Sequence, residues 1–149
     1  MAAPRIIIVG AGPAGTRAAE LLVAAGQRPV VIDEARDNGG QIYRRQPPGF
    51  RRPAEALYGT EAGRATALHA VFDALRTKID HRPETLAWNV QSWGLETSEL
   101  HVVQGDRAQI LPFDALILAT GAADRLIPLP GWTTPGVFTL GAAQIALKA

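Results

Sequence analysis

The stretch RIIIVGAGPAGTRAAELLVAAG, residues 5–26, constrains this chain more than any other. After the arginine, residues 6–9 are apolar and β-branched with no alternation, which suits a strand covered on both faces of a parallel sheet. GAGPAG follows at once, a GxGxxG turn. A helix is predicted behind it, with Ala18, Leu21, Leu22 and Ala25 at helical spacing and Gly26 as its C-terminal cap. Residues 29–32, PVVI, make a second apolar strand ending in Asp33 and Glu34. Strand, glycine turn, helix and strand within about 30 residues form the βαβ unit of a dinucleotide-binding fold.

Each part of that unit has a physical duty. Gly10 permits the tight turn, Gly12 leaves the backbone open to a pyrophosphate, and Gly15 lets the helix pack close to the strand. The helix start, Pro13 and Ala14, offers unbonded N–H groups and a partial positive charge to phosphate. An acidic residue about 20 positions on is expected to meet the ribose hydroxyls. Asp33 stands 18 positions after Gly15. It is preferred to Glu34, because one step along a strand turns the side chain to the opposite face. Its charge also disfavours a 2′-phosphate, and with it NADP. The residues alone leave a nicotinamide cofactor and FAD both open, and a strand–turn–helix without ligand is the plain alternative.

Residues 35–59 read as loop, punctuated by Pro47, Pro48, Gly49 and Pro53. Residues 60–79 read as a helix with Leu68, Val71, Phe72 and Leu75 as its apolar stripe. Three short β-like runs follow at 85–90, 99–103 and 108–111, parted by turns at Gly94 and at Gly105 and Asp106, so a small antiparallel meander is expected over about 84–112. Residues 114–119, DALILA, read as another buried strand, ended by Thr120 and Gly121. Between Leu126 and Leu147 no charged residue occurs, long enough to raise the question of a membrane span. Pro128, Pro130 and Pro135, with three glycines, break such a helix, so a buried loop and then a short helix are expected. The predicted fold class is α/β, a Rossmann-like parallel sheet with an added meander.

Four arginines, Arg44, Arg45, Arg51 and Arg52, surround Pro47, Pro48 and Gly49. The net charge is only +1, which argues against a nucleic-acid or anionic-membrane surface. Cysteine is absent, so disulfides, zinc thiolate sites and dithiol redox chemistry have no residues here. Together with the lack of a secretory signal, this points to a reducing, cytoplasmic compartment. No GxxxxGK[ST], GxSxG or HExxH occurs, and His69, His81 and His101 lack metal-ligand spacing. Trp88, Trp93 and Trp132 read as packing residues of core or interface.

In order, GAGPAG, VVIDEA, GGQIYR, the meander and LILATG resemble the two-dinucleotide-binding flavoprotein superfamily. DEARDNGGQIYRRQPPG and LATGAADRLIPLPGWTTPGVFTLGAAQ resemble one branch in detail. That branch is the FAD-binding subunit of heteromeric amine and amino-acid oxidases and dehydrogenases, among them opine oxidases, hydrogen cyanide synthase and hydroxyproline dehydrogenase. The resemblance implies that the βαβ unit binds the ADP half of FAD and that Gly39 and Gly40 lie over the pyrophosphate and ribityl chain. It implies that Gly40 and Gln41 face FAD and that Arg45, or its neighbour Arg44, neutralises phosphate, with a solvated loop as the equal alternative. Ala119, Thr120 and Gly121 would close the domain near the flavin, and Ala87, from its position in the first meander strand, is expected to offer its backbone to the adenine.

The implied chemistry is oxidation of a secondary amine or amino acid, such as an opine, by hydride transfer to flavin. The implied partners are a small iron–sulfur subunit, and with it a second, oxidase-like flavoprotein subunit. Members of the family continue beyond the GAAQ region with a second glycine-rich βαβ unit and a return strand. Residues 1–149 are therefore expected to be the N-terminal portion of an FAD-binding domain. No residue stands out as a general base or nucleophile. The competing expectations are an NAD(H)-linked flavoprotein reductase, or a non-catalytic fragment that binds a nucleotide or a partner subunit.

Overall fold

The computed structural model describes residues 3–93 and 97–148. Its framework is a parallel sheet of β1 (Ile6–Val9), β2 (Val30–Ile32), β3 (Asp80–Arg82) and β7 (Ala115–Leu118), in the order β3-β2-β1-β7. The apolar run in β1 serves two layers at once, because successive side chains point to opposite faces. Ile8 and Val31, in register, are fully buried against the helices α1 (Pro13–Ala24) and α3 (Ala62–Leu75), where Ala19, Phe72, Leu75 and Ile79 join them. Ile7 and Ile32 face the other way and meet Leu100 and Val102.

Leu100 and Val102 belong to an antiparallel sheet of β4 (Thr85–Trp93), β5 (Thr97–Gln104) and β6 (Arg107–Phe113), in the order β4-β5-β6. Helices, parallel sheet and meander thus stack as three layers, and both faces of β1 are covered as its composition requires. The α/β reading with an added meander holds. Pro112 sits in β6, an edge strand of the meander, where a missing N–H costs least.

The structure corrects several expectations. The single helix expected over 60–79 is a short helix α2 (Ala54–Tyr58), a 3₁₀ turn (Gly59–Glu61) and α3. Gly59 adopts φ 56°, which ends α2, and Pro53 sits at its start. β3 is not among the expected strands: its three residues, Asp-His-Arg, carry no apolar pattern. Asp33 donates its N–H to Arg82 O at 3.1 Å, extending the β2–β3 pairing. β7 is an edge strand rather than a buried one, with Leu118 67% exposed.

The expected buried loop before the last helix is exposed, including Leu126, Ile127, Leu129, Val137 and Phe138. The short helix itself is present as α4 (Leu140–Lys148), with Asp124 accepting from the Gly141 N–H at 2.9 Å. Trp88 and Trp132 are 59% and 48% exposed, so neither is a core residue. Trp88 lies at a bulge in β4 and stands edge-on to His101, ring centroids 5.4 Å apart. The turn expected at Gly94 lies outside the described residues.

Phe72 is the central side chain of the helix-facing layer. It is fully buried, its ring meets His81 edge-on at 4.9 Å, and the Arg76 guanidinium lies 5.5 Å above it. Phe72→Ala is expected to cost about 3–5 kcal/mol of unfolding free energy, the usual penalty for truncating a core phenylalanine. Denaturant unfolding followed by circular dichroism reads that loss directly.

Candidate functional site

Ala11, between the first two glycines of GAGPAG, is the joint of the site. Its N–H donates to Asp33 Oδ2 at 2.6 Å, and its carbonyl accepts the Gly39 N–H at 2.9 Å. The Thr16 hydroxyl donates to the same carbonyl at 3.3 Å. Asp33 is only 8% exposed, and its other oxygen accepts the Ala35 N–H at 2.7 Å. A buried carboxylate must be satisfied in this way or it costs several kcal/mol. The acid at the end of β2 therefore has a structural role: it locks the glycine turn to the second strand. Each of its oxygens keeps a further lone pair. Glu34, the next residue, is exposed.

The glycine turn packs as the spacing predicts. Gly10 has φ 104°, and a Cβ there would lie 2.3 Å from Ala119 O, so only glycine lets β1 turn against the end of β7. The structure thereby brings Ala119 and the N–H of Thr120 beside Gly10. Ala119 also donates its N–H to Val9 O at 2.8 Å. A Cβ on Gly15 would meet Gly10 O at 1.8 Å, which is the close helix–strand approach expected of it. Gly12 is the N-cap of α1 and makes no side-chain cap, while Pro13 occupies the first turn. The first-turn donors of the helix, at Ala14 and Gly15, have no intrahelical acceptor. A Cβ on Gly12 would sit 3.7 Å from Gly40 Cα, so the glycine pair lies directly beside this helix start.

The loop carrying that pair is fastened to α3. The Tyr43 N–H donates to Gly39 O at 3.1 Å, closing the loop on itself. His69 Nε2 lies 2.8 Å from Tyr43 O. A carbonyl can only accept, so this nitrogen carries the proton. Burial pushes the His69 imidazole below its usual pKa, against the bond to Tyr43 O, and so favours the neutral ring. Tyr43 donates its hydroxyl to Glu61 Oε2 at 2.8 Å, and Tyr58 donates to Arg44 O at 2.6 Å. Hydrogen bonds from Tyr43 and Arg64 hold the Glu61 carboxyl below its ordinary range.

Arg45 is placed differently from the sequence expectation. Its Nε donates to Asn38 Oδ1 at 2.9 Å, and its Nη2 donates to His69 O at 3.0 Å and to Asp73 Oδ1 at 2.9 Å. The fork faces Asn38 and α3, where the Asp73 carboxylate and the mid-helix carbonyl of His69 offer it acceptors. In this placement the Arg45 guanidinium is engaged by protein acceptors on the loop and on α3. The arginines that line the cavity of about 430 Å³ beside Pro13 are Arg17 and Arg64, with Tyr43 and Leu68.

Of the remaining expected site residues, Gln41, Thr120 and Gly121 are exposed. Ala87 packs its side chain into the layer between the sheets and pairs with Val102. Sequence reasoning gave no site role to Ala11, Asn38 or Tyr43, and considered His69 only as a metal ligand. Only Asn38 carried a signal, a polar amide directly before the glycine pair in a loop with its own backbone to satisfy. Among the described residues no helix is long and apolar enough to cross a membrane.

A family model described as pyridine nucleotide-disulphide oxidoreductase matches residues 4–147. A subunit of opine oxidase from Rhizobium meliloti is 42% identical over 97% of this chain and 28% of its own length. The HcnB subunit of hydrogen cyanide synthase from Pseudomonas protegens is 34% identical over 96% of this chain and 30% of its own. The chain thus spans less than a third of the length of these curated relatives. Among solved structures, L-proline dehydrogenase from P. horikoshii superposes with a TM-score of 0.63 at 24% identity, covering 85% of this chain and 24% of that one. OTEMO in complex with FAD and NADP superposes with a TM-score of 0.60 at 23% identity, covering 87% of this chain and 28% of that one. These last two likenesses bear on the fold. Matched over nearly its whole length, and with the glycine turn, acidic strand end and glycine pair brought to one place, the chain belongs to the pyridine nucleotide-disulphide oxidoreductase family of flavin-dependent oxidoreductases.

Proposed function

We propose that this chain is the FAD-binding part of a flavin-dependent oxidoreductase that oxidises a secondary amine or amino acid of the opine type at a C–N bond. The observation that carries the reading is the cradle at the start of α1, where a Cβ on Gly12 would lie 3.7 Å from Gly40 Cα and no side chain caps the helix. A pyrophosphate fits there because backbone donors and the helix dipole converge on a position that any larger side chain would fill. Bound FAD would supply the redox chemistry as the hydride acceptor. The chain's own residues bind and orient: Gly12, Pro13, Ala14 and Gly15 take the pyrophosphate, and Gly40 and Gln41 cover it and the ribityl chain. Asp33, through its spare lone pairs, or Glu34 takes the ribose. Ala87 offers backbone to the adenine, and Gly10 with Ala119, Thr120 and Gly121 bounds the flavin end.

The substrate class rests on the opine oxidase and hydrogen cyanide synthase relatives, each named as one subunit of its enzyme. By the same likeness, the proposed partners are a small iron–sulfur subunit, and with it a second, oxidase-like flavoprotein subunit, in the cytoplasm. The family description favours one other reading, an NAD(H)-linked flavoprotein reductase. Anaerobic reduction of the flavin separates the two. The first expects bleaching by an opine in the presence of the partner subunits, and the second expects bleaching by NADH.

Titration with FAD, followed by flavin fluorescence with NAD⁺ competing, tests the site. Saturable binding that NAD⁺ does not displace is expected. A Cβ at Gly12 makes only an ordinary contact at 3.7 Å, so Gly12→Ala is expected to keep the wild-type melting temperature. It should nevertheless weaken FAD roughly tenfold or more, the worth of a charge-assisted phosphate bond. Equal FAD affinity in wild type and Gly12→Ala would overturn the phosphate assignment.

Asp33 and Glu34 separate by a second pair of variants. Asp33→Ala orphans the buried N–H of Ala11 and the part-buried N–H of Ala35 and is expected to cost about 2–4 kcal/mol of stability. Glu34→Ala, at an exposed position, is expected to leave stability unchanged. A loss of FAD affinity in Glu34→Ala would give the ribose to Glu34, and an unchanged affinity would give it to Asp33.

A further inference from the structure

The glycine-pair loop is held on one side by the glycine turn and on the other by α3, and Arg45 joins the two. Asn38 is fully buried and directly precedes Gly39, whose N–H donates to Ala11 O at 2.9 Å. Arg45 Nε holds the Asn38 side chain at 2.9 Å while Nη2 grips α3 at His69 O, 3.0 Å, and at Asp73 Oδ1, 2.9 Å. The bonded path therefore runs from α3 through Arg45, Asn38 and Gly39 to Ala11, next to Gly12.

Gly40 stands at φ 60°, and a Cβ on it would lie 3.1 Å from Gly12 Cα. So close a seat needs the loop held in place from outside. The Arg45 side chain is 23% exposed, so its pairing is partly sheltered from solvent. Burial works to raise the Asp73 carboxyl, but bonds from Arg45 and Arg76 outweigh it and hold it below its ordinary range.

We infer that Arg45 is a positioning residue of the cofactor site, setting the glycine-pair loop against Gly12 through Asn38 and α3. It acts through geometry and touches no part of the cofactor. The inference rests on the FAD reading above for its effect on affinity, while the latch itself is independent of any ligand. Only a guanidinium spans these acceptors: a lysine ammonium would keep the charge beside Asp73 and lose the simultaneous bond to Asn38. Lysine therefore discriminates. A cation that neutralised phosphate would survive Arg45→Lys, and a positioning fork would not.

The test uses Arg45→Ala and Arg45→Lys in the whole protein, with two readouts. The first is amide hydrogen exchange without added nucleotide. Both variants are expected to raise exchange across residues 38–43 while β1 and β2 keep wild-type protection. The second is affinity for FAD and for AMP by calorimetry. AMP lacks the second phosphate and the ribityl chain that the loop would cover. Both variants are expected to weaken FAD roughly tenfold or more and to leave AMP within about twofold. Wild-type FAD affinity in Arg45→Lys, unchanged exchange in the loop, or a matched fall in FAD and AMP would each overturn the inference. If exchange rises as expected but wild-type protein binds no FAD, the latch stands and the FAD reading falls.

Discussion

The two-sided capture of Ala11 is the contact on which the rest of the site depends. Its N–H is engaged by the Asp33 carboxylate and its carbonyl by the Gly39 N–H. One residue thus fixes the glycine turn to the end of β2 and to the loop that follows it. Asp33 extends the joint, because its own carbonyl accepts the Thr85 N–H at 2.9 Å and its N–H reaches β3. Turn, second strand, third strand and the first meander strand meet at one buried acid. Removing that carboxylate would leave two backbone donors, the N–H groups of Ala11 and Ala35, without partners, each costing about 1–3 kcal/mol.

The layer arrangement explains why this joint faces outward as a site. β1 and β2 are parallel, so their carboxyl ends lie together, and the glycine turn and Asp33 both follow those ends. Open parallel sheets leave a crevice there. Helices on one face and the meander on the other bury Ile8 and Val31 in one core and Ile7 and Ile32 in the other. The strands are packed on both sides, and the position of the α1 N-terminus follows from that packing together with the close approach that Gly15 permits. α1 itself has no acidic residue in its first turn and no side-chain cap. Its first-turn N–H groups have no intrahelical acceptor, and an anion placed there would satisfy them.

Much of this was legible because it is local. β1, α1 and β2 follow from apolar runs, a glycine spacing and a terminal acid within one short window, and the meander follows from turn residues between β-branched runs. The location of Asp33 was legible, but its occupation by backbone was not, because the donors that reach a carboxylate depend on how two strands end in space. Arg45 shows the same limit more sharply. From sequence it is a cation in a phosphate-proximal loop. In the fold its partners are 7, 24 and 28 residues away, at Asn38, His69 and Asp73, and no short window joins them. β3 escaped notice because three polar residues acquire strand character only by pairing with β2. The segment after β7 misled for the opposite reason: its leucines and prolines look like core, yet the described fold offers them nothing to pack against.

Arg45 and Gly12 together divide recognition from positioning. In the proposed site, phosphate would be met by backbone N–H groups whose direction is set by the first turn of α1, and these cannot rotate away as a long side chain can. Charged side chains of the loop and of the helix beside it are instead paired with one another: Arg45 with Asp73, Arg76 with Asp37 and Asp73, Arg64 with Glu61. An arginine turned toward the phosphate would add attraction, but it would also leave Asn38 and the glycine pair untied. With the fork on α3, the loop holds its seat against Gly12, so close that a Cβ on Gly40 would lie 3.1 Å from Gly12 Cα. In this geometry a positive charge contributes more by fixing where the backbone lies than by lying near the ligand itself.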